Sequence, residues 1–281
     1  HTERVYLHGT LSQGACYLDA VTDFEHEDLP IVGFPCNDVV NTIRRTDGAW
    51  LYIHDEEIRI FQADPIGVED DGFVYPEEPM ENDIVLTDVH DCGEDNLDIF
   101  IDDPETGEIL VRCRSSRATF YDTDSEPAFI LPQSTSFRAY GFGGNVLIRD
   151  ATDGIQIVNG EERLDLDSES IAIDDAIVAA RAHSEGFFAA ITDGPNDLAL
   201  YDLGHDGSVS REGQYPTVED GVSTIFMWAL DGSNDLFSME TNEEHDDIVV
   251  RRDLGSNEPV IVHDETEEDV KIHISRLVAA D

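Results

Sequence analysis

A recurring unit of about 45 residues, a glycine-containing turn in each unit, and complementary strands at the two chain ends predict the fold of this sequence. Together they predict an all-β protein, a six-bladed β-propeller closed by pairing of its N- and C-terminal strands. Residues 1–281 are predicted to form one domain. The turns that mark the repeats lie at Gly48, Gly93, Gly144, Gly186 and Gly232, with a sixth at the junction of the chain ends.

Each of these glycines lies between an apolar segment and a segment in which polar and apolar residues alternate, the pattern of a β-hairpin. The glycines are 45, 51, 42 and 46 residues apart. The predicted strand pairs are Asn41–Arg45 with Trp50–His54, Ile84–His90 with Leu97–Ile101, Phe137–Phe142 with Val146–Arg149, Ala176–Ala182 with Phe187–Ile191, and Thr224–Leu230 with Leu236–Met239.

Each blade needs two more strands after its hairpin, and short apolar segments follow at suitable positions. Asp174–Ala182 is the one segment that could be read as a helix, but its Ile, Val and Ala content and its place in the repeat favour a strand. The predicted additional strands are Glu57–Gln62, Glu108–Arg114, Gly154–Val158, Asp197–Leu203, Ile248–Asp253 and Val260–Val262.

The two chain ends complete the periodic pattern. Val270–Leu277 has the character of a first strand, and Arg4–His8 has that of a second strand. A turn at their junction, near Asp281, falls 49 residues after Gly232 and 48 residues before Gly48. Pairing of the two ends would leave no sheet edge open, which is how a propeller avoids edge-to-edge association.

Several turns carry a more specific signal. Thr46–Leu51 and Leu230–Gly232 each place Asp-Gly between two strands, and Leu198–Gly207 has the form of a third strand followed by its turn. These segments resemble the repeats of TolB-type, WD40-like propellers, although the Ser and Pro that usually precede the Asp-Gly pair are absent. The resemblance implies a fold and assigns no activity.

The charge of the chain restricts its partners. There are 63 acidic and 16 basic residues, a formal net charge of −47, and Lys271 is the single lysine beside fifteen arginines. Such a polyanion is predicted not to bind nucleic acid or an anionic membrane surface. No apolar segment reaches the roughly 18 residues that a membrane helix needs. The composition is typical of a protein from a high-salt habitat, or of one exported by a GC-rich bacterium.

Four cysteines, an even number, indicate two disulfides and an oxidising compartment. The favoured pairs are Cys16–Cys36 and Cys92–Cys113, because each lies within about one repeat. The alternative is four buried free thiols. The chain begins at His1 and not at Met, which indicates a processed or truncated N-terminus and is compatible with the removal of an export signal. The expected location is extracytoplasmic: secreted, periplasmic or on the cell surface.

One acidic motif, D-x-D-S-E, occurs twice, 43 residues apart. In an extended segment, alternate residues point the same way, so three carboxylates would supply oxygen ligands to Ca²⁺. The other interpretation is a solvated turn in a very acidic protein. Calcium is therefore the one cofactor considered, and its candidate ligands are Asp122, Asp124, Glu126, Asp165, Asp167 and Glu169.

Basic residues concentrate on the predicted first strands, which line the central channel of a propeller. Arginines there would hold a carboxylate or phosphate through bidentate contacts, or else neutralise neighbouring acids. Trp228 would stack on a sugar or a peptide side chain if exposed at the channel mouth, or else pack between blades. The candidate channel residues are Arg44, Arg45, Arg138, Arg181, Arg276, His90, His183, His273 and Trp228.

No catalytic signature is present: G-x-S-x-G, H-E-x-x-H and G-x-x-x-x-G-K-[ST] are all missing from the sequence. The predicted function is therefore a non-catalytic binding or scaffold module, a monomer that recognises a protein, peptide or glycan through one face. The alternative is a hydrolase or lyase that uses carboxylate, Arg and His side chains at the central channel.

Overall fold

The described residues of the chain form strands and turns. Their 24 strands, β1–β24, assemble into six four-stranded antiparallel sheets, which confirms the all-β prediction. No helix in this part of the chain is long and apolar enough to cross a membrane. The computed structural model describes residues 4–11, 16–22, 25–27, 39–44, 50–54, 57–61, 84–86, 90–92, 97–102, 109–114, 119–122, 124, 126–131, 136–137, 143–166, 171–193, 197–217, 223–241, 247–264 and 272–280.

The strands fall into two compact units. Unit 1 spans residues 1–86, 219–253 and 258–281 and contains sheets 1, 2 and 6. Sheet 1 comprises β1 (Arg4–Leu11), β2 (Cys16–Thr22), β3 (Glu25–Glu27) and β24 (Ile272–Ala280). Sheet 2 comprises β4 (Val39–Arg44), β5 (Trp50–His54), β6 (Glu57–Phe61) and β7 (Ile84–Val85). Sheet 6 comprises β20 (Ser223–Leu230), β21 (Leu236–Thr241), β22 (Asp247–Arg252) and β23 (Val260–Asp264).

Sheet 1 joins the two ends of the chain. β24 pairs antiparallel with β1, from Arg4 opposite Ala280 to Leu11 opposite Ile272, with one irregularity after His8. The sheet order is β24-β1-β2-β3, so the C-terminal strand precedes the N-terminal strands within one sheet. β24 also contacts β4 of sheet 2 and β20 of sheet 6, which places sheet 1 between the other two sheets of unit 1.

Unit 2 spans residues 87–218 and 254–257 and contains sheets 3, 4 and 5. Sheet 3 comprises β8 (Leu97–Asp102), β9 (Ile109–Cys113), β10 (Thr119–Tyr121) and β11 (Pro127–Ile130). Sheet 4 comprises β12 (Ser136–Phe137), β13 (Asn145–Asp150), β14 (Gly154–Asn159) and β15 (Glu162–Asp165). Sheet 5 comprises β16 (Ile177–His183), β17 (Gly186–Thr192), β18 (Leu198–Gly204) and β19 (Val209–Tyr215).

The centre of sheet 4 is buried on both faces, which explains the apolar residues Val146, Leu147 and Ile148 in the middle of β13. Val146 and Ile148 of β13 pack with Phe120 and Phe129 of sheet 3. The intervening Leu147 faces the other way and packs in a cluster with residues of sheet 5. Because successive side chains of a strand point to opposite faces, a stretch of strand with two covered faces is apolar at successive positions. The three sheets of unit 2 therefore stack face to face.

The predicted additional strands are found in four repeats: β6, β14, β18 and β22 each lie third in their sheets, and β23 lies fourth. The segment 174–182 contributes β16, a strand and not a helix.

The hairpin predicted around Gly93 is wrong. Ile84–Val85 does not pair with Leu97–Ile101; it pairs with β6 as the fourth strand of sheet 2. Gly93 itself lies outside the described residues. The predicted third strand at 108–114 is instead β9, the second strand of sheet 3. Residues 62–83 separate β6 from β7 in sequence, so the two strands do not show the short spacing that identifies a hairpin.

The edge of β19 is covered by residues 254–257, which belong to unit 2. The Gly255 N–H donates a hydrogen bond of 3.0 Å to the Gln214 carbonyl oxygen. Leu254 lies over Gly213, where an added Cβ would be 2.8 Å from Leu254 Cδ1. Glycine at position 213 thus lets this segment approach the strand closely and protect its edge.

Candidate functional site

The structure describes the side chains of only some candidate channel residues. Arg44 lies on β4, and His273 and Arg276 lie on β24, as predicted, but only their backbone positions are described. Arg45 and Arg138 lie outside the described residues. Arg181 and His183 are on β16 and Trp228 is on β20, with described side chains. The first two form the candidate site.

Arg181 and His183 lie on the face of sheet 5 that points away from sheet 4. Residues of one strand that are two apart share a face, and Ala182, which lies between them, packs against the cluster that includes sheet 4, as does Ala180. Arg181 pairs with Phe188 of β17, which pairs in turn with Asp202 of β18. Side chains directly opposite each other across antiparallel strands are neighbours. The pairing therefore brings four residues together, named here the sheet 5 cluster: Arg181, His183, Phe188 and Asp202.

The Phe188 ring is the centre of this cluster. The guanidinium carbon of Arg181 lies 4.7 Å from the ring centroid, within the range of a cation–π interaction. The His183 ring contacts the same phenyl ring, with 4.6 Å between centroids and 34° between planes. A guanidinium that stacks through its face keeps its N–H groups at the edge of the plane, where they can bind an anion.

Both ring nitrogens of His183 are engaged. The Glu185 N–H donates to Nδ1 at 3.3 Å, so Nδ1 is the unprotonated nitrogen. Nε2 then carries the proton and donates to Asp202 Oδ1 at 3.1 Å. The side chains of His183 and Asp202 are 21% and 36% exposed, so the cluster is in contact with solvent. The imidazole is held in one tautomer and one orientation.

Local sequence explains this placement. The turn between β16 and β17 is two residues long, so His183 pairs with Gly186 at its end. A Cβ at Gly186 would collide with the Leu203 carbonyl oxygen, so glycine is required where β17 passes closest to β18. The sequence did not identify Phe188 and Asp202 as site residues. The two-residue turn fixes the register of the hairpin and so places Phe188 opposite Arg181, which the sequence could have indicated. Asp202 could have been indicated by the alternation of side chains in β18, where it is the one acidic residue.

Trp228 has a different environment. The guanidinium carbon of Arg252 lies 5.7 Å from the Trp228 ring centroid. Arg252 is 2% exposed and bonds to Ser238 and Glu240, with 2.5 Å between its Nη2 and Glu240 Oε1. The Ser238 hydroxyl also donates to Glu240, at 2.6 Å. The Trp228 ring thus packs on a buried ion pair, the arrangement of a packing residue.

The first D-x-D-S-E motif is not extended. The Asp122 N–H donates to the Glu126 carbonyl at 3.0 Å, and the Glu126 N–H donates to Asp122 Oδ1 at 2.9 Å. The motif is therefore a turn between β10 and β11, and the prediction that its carboxylates line one side of a strand is wrong. Asp124 and Glu126 are exposed in this turn.

In the second motif, Asp165 accepts a hydrogen bond from Gln156, while Asp167 and Glu169 lie outside the described residues. Within the described part of the chain, no three His, Cys, Asp or Glu side chains are arranged to hold a metal ion.

The Cys92–Cys113 disulfide is present, with a Cα–Cα distance of 5.6 Å. It connects the segment before β8 to β9, and Cys36 of the other predicted pair, Cys16–Cys36, lies outside the described residues. The inner-strand position predicted for His90 is wrong, because His90 lies in the connection between sheets 2 and 3. Its ring stacks on Tyr121, with 4.0 Å between centroids, so His90 is a packing residue.

Buried carboxylates occur in the turn between β20 and β21. Asp231 Oδ1 accepts hydrogen bonds from the N–H groups of Ser233 and Asp235, at 2.9 and 2.8 Å. Burial raises the pKa of Asp231 and of Asp235 above their ordinary values. Arg251 binds Asp235, with Nε at 2.8 Å from Oδ2, and opposes this rise. These acids shape the turn and are already bonded within the protein.

No protein-family model matches the sequence, and no curated protein matches it significantly. Among solved structures, apo AztD from Citrobacter koseri is 9% identical, with coverage of 99% of this chain and 98% of that one and a TM-score of 0.48. The WD40 β-propeller domain of Doa1 is 11% identical over 90% of each chain, with a TM-score of 0.40. The dihydro-heme d1 dehydrogenase NirN is 13% identical, with coverage of 99% of this chain and 56% of that one and a TM-score of 0.35. Values this low assign no ligand, partner or activity to this chain.

Proposed function

We propose that residues 1–281 form one domain, a six-bladed β-propeller whose ring is closed by the pairing of β24 with β1. Two observations support this architecture. The described strands make six sheets of equal strand number, and one sheet combines the two ends of the chain. When the first and last strands of a propeller belong to the same sheet, the ring of blades is closed and no blade is left with an open edge at the chain ends.

We further propose that the protein is a non-catalytic binding or scaffold module outside the cytoplasm, a monomer whose partner is a protein, peptide or glycan. The Cys92–Cys113 disulfide supports a location in an oxidising compartment. The sheet 5 cluster is the proposed contact point. There, Arg181 binds an anionic group of the partner, His183 lies beside it on the same ring, and Phe188 contacts the apolar carbon atoms beside that group.

The observation that carries this proposal is the state of His183. A general base needs a free nitrogen within hydrogen-bond reach of the substrate proton. His183 donates from Nε2 to Asp202 and accepts at Nδ1 from the Glu185 N–H, so neither nitrogen is free. This arrangement favours ligand binding over hydrolase or lyase chemistry at the cluster. Arg44, Arg276 and His273, on the first strands of their sheets, are the further residues proposed to line the channel.

The net charge restricts the ligand. With a net charge of −47, the chain repels a polyanion before any local contact forms. The repulsion of a small anion is weaker, because dissolved salt screens the distant charges of the chain over about one Debye length. The proposed ligand group is therefore a single carboxylate, sulfate or phosphate on a partner without other negative charge.

A thermal-shift experiment tests this site. The wild type is melted with sulfate or acetate at constant high ionic strength, beside the variants Arg181→Gln and Arg211→Gln. Arg211 is a matched control, because it lies exposed on β19 and pairs with Asp193 at 2.7 Å. Binding to the folded state raises the melting temperature of the wild type and of Arg211→Gln. A shift that persists in Arg181→Gln would contradict the assignment.

Calcium at the two D-x-D-S-E motifs is a separate proposal, supported by exposed carboxylates at Asp124 and Glu126. After EDTA treatment, calcium at constant ionic strength should raise the melting temperature more than magnesium does. Equal responses to the two cations would show general screening of charge and would refute the site.

A further inference from the structure

We propose that the outer edge of β23 binds an extended, positively charged peptide, which adds to sheet 6 as an antiparallel fifth strand. This inference goes beyond the proposed contact at the sheet 5 cluster, because β23 lies in unit 1 and the binding uses no residue of that cluster. The two surfaces are independent, so the failure of one does not affect the other.

The fourth strand of each sheet lies at an edge, where unpaired N–H and C=O groups can pair with another chain. Five of these six edges carry a feature that hinders such pairing. β3 and β15 consist mostly of charged residues, and β7 has only two residues. β11 begins with Pro127, and its Ile130 carbonyl oxygen accepts a hydrogen bond from Arg163 at 2.6 Å. β19 is covered by residues 254–257.

β23 differs from these five strands. Its sequence is Val-Ile-Val-His-Asp, with no proline and a single acid at its end. It pairs with β22, and among the described strands none pairs with its other edge. Ile261 on this strand is 55% exposed. Because β-branched residues favour an extended backbone, the edge already has the conformation that an added strand requires.

One irregularity limits the length of the partner. The register between β23 and β22 shifts at Val262, a bulge whose side chain is buried. Regular pairing is kept by Val260 and Ile261 before the bulge and by His263 and Asp264 after it. The partner segment is therefore short, and one of its apolar side chains packs beside Ile261 as a cross-strand neighbour.

Charge determines the chemistry of the partner. Asp247 begins β22 and Asp264 ends β23, so two aspartates lie at one end of this edge. Sheet 6 is antiparallel throughout, and a peptide that continues the pattern places its N-terminal residues at that end. Lysine or arginine there, followed by alternating β-branched residues, complements the aspartates and the net charge of −47. A second copy of this chain carries the same negative charge and is repelled.

The test measures binding of a fluorescent peptide, Lys-Arg-Lys-Thr-Val-Thr-Ile-Thr-Val, by anisotropy at constant ionic strength. The control peptide has the same sequence and is N-methylated throughout its second half. It keeps the charge and the side chains but loses its backbone donors, so it should bind about tenfold more weakly. Equal binding of the two peptides would show general attraction of charge and would overturn the inference, as would absence of binding by the first peptide.

A pair of variants locates the site. Ile261→Lys places a charge on the edge, the means by which natural edge strands resist pairing, and should weaken binding by about tenfold. Ile130→Lys is the matched control, because Ile130 is 59% exposed on the outer strand β11 and the substitution adds the same charge. Its affinity should equal that of the wild type. Equal losses in the two variants would contradict β23 as the site.

Salt distinguishes the peptide from a second copy of the chain. Added salt screens attraction between opposite charges, so peptide binding should weaken, whereas self-association of the chain would strengthen. A dimer in sedimentation experiments that Ile261→Lys abolishes would make a second copy the occupant and would overturn the inference. Arg181→Gln should bind the peptide as the wild type does. A negative result at β23 therefore leaves the proposed site at the sheet 5 cluster standing.

Discussion

Sheets 5 and 6 each place an arginine against an aromatic ring, yet the two sites differ in burial. Arg181 lies 4.7 Å from the Phe188 ring in a cluster that is in contact with solvent. Arg252 lies 5.7 Å from the Trp228 ring and is 2% exposed, with Glu240 Oε1 at 2.5 Å. The same pair of side-chain types therefore serves two purposes. Desolvated charges must be bonded within the protein, whereas charges in contact with water can exchange a partner for a ligand.

The comparison also shows why sequence could not rank Arg181 above Trp228 as a candidate. Both residues lie on the first strands of their sheets. Each belongs to a cation–π pair, Arg181 with Phe188 and Trp228 with Arg252. Arg181 and Trp228 are both half-buried. What separates them is the exposure of their neighbours, because Arg252 beside Trp228 is buried, whereas His183 and Asp202 beside Arg181 remain in contact with solvent. The predictions that follow test this difference.

The largest effect is expected when the buried pair of sheet 6 is broken. Glu240→Gln leaves the Arg252 charge buried without its counter-ion and should lower the free energy of unfolding by about 3–5 kcal/mol. Urea unfolding at constant high ionic strength measures this change. The matched control, Arg252→Met with Glu240→Leu, removes both charges and should stay within about 1 kcal/mol of the wild type. A loss below about 1 kcal/mol in Glu240→Gln would show that the pair is not desolvated.

A second prediction concerns the hairpin that carries the sheet 5 cluster. Gly186→Ala should cost about 2–3 kcal/mol, because the added methyl meets the rigid backbone at Leu203. Gly213→Ala, which meets only the flexible side chain of Leu254, should cost less. Unfolding midpoints of the two variants give the comparison. Equal losses would mean that β17 moves away from β18 as easily as Leu254 moves from β19.

A smaller effect is expected when the acid of the exposed cluster is replaced. Asp202→Asn should change the free energy of unfolding by less than about 1 kcal/mol, since the pair with His183 is partly solvated. This substitution is the counterpart of Glu240→Gln. If the two cost the same in urea unfolding, burial does not distinguish the sites.

The smallest effect is expected at Asp231, a buried acid of sheet 6 that forms no ion pair with the residues that the structure describes. Because burial raises its folded-state pKa above 3.8, this group favours the folded state at low pH, and that contribution is lost as the pH rises through the folded pKa. Asp231→Asn keeps an oxygen acceptor for the turn and removes the charge. Its unfolding free energy near pH 7 should equal or exceed that of the wild type by up to about 1 kcal/mol. The measurement is the urea midpoint from pH 4 to pH 7. A large loss near pH 7 would mean that the ionised form is the one that the turn needs.

Much of the blade pattern was predictable because it depends on neighbours in sequence. Short turns such as 184–185 fix the partner of each strand, and apolar alternation then decides which face is covered. The pairing of β7 was mispredicted because its partner β6 is separated from it in sequence by residues 62–83, and a two-residue strand has too few positions to show a period. The Cys92–Cys113 pair was found because its separation of 21 residues lies within one repeat.

The sequence by itself determined the all-β class, the antiparallel hairpins other than the one predicted around Gly93, and the pairing of the chain ends, because each follows from turn chemistry and local alternation. Only the tertiary structure decided which polar residues are buried. Asp202 reaches His183 across two strands, and Glu240 reaches Arg252 from the neighbouring strand. The physical reason is that the energy of a charge depends on its exposure to water, and exposure is a property of how sheets pack and not of the residues that carry the charge.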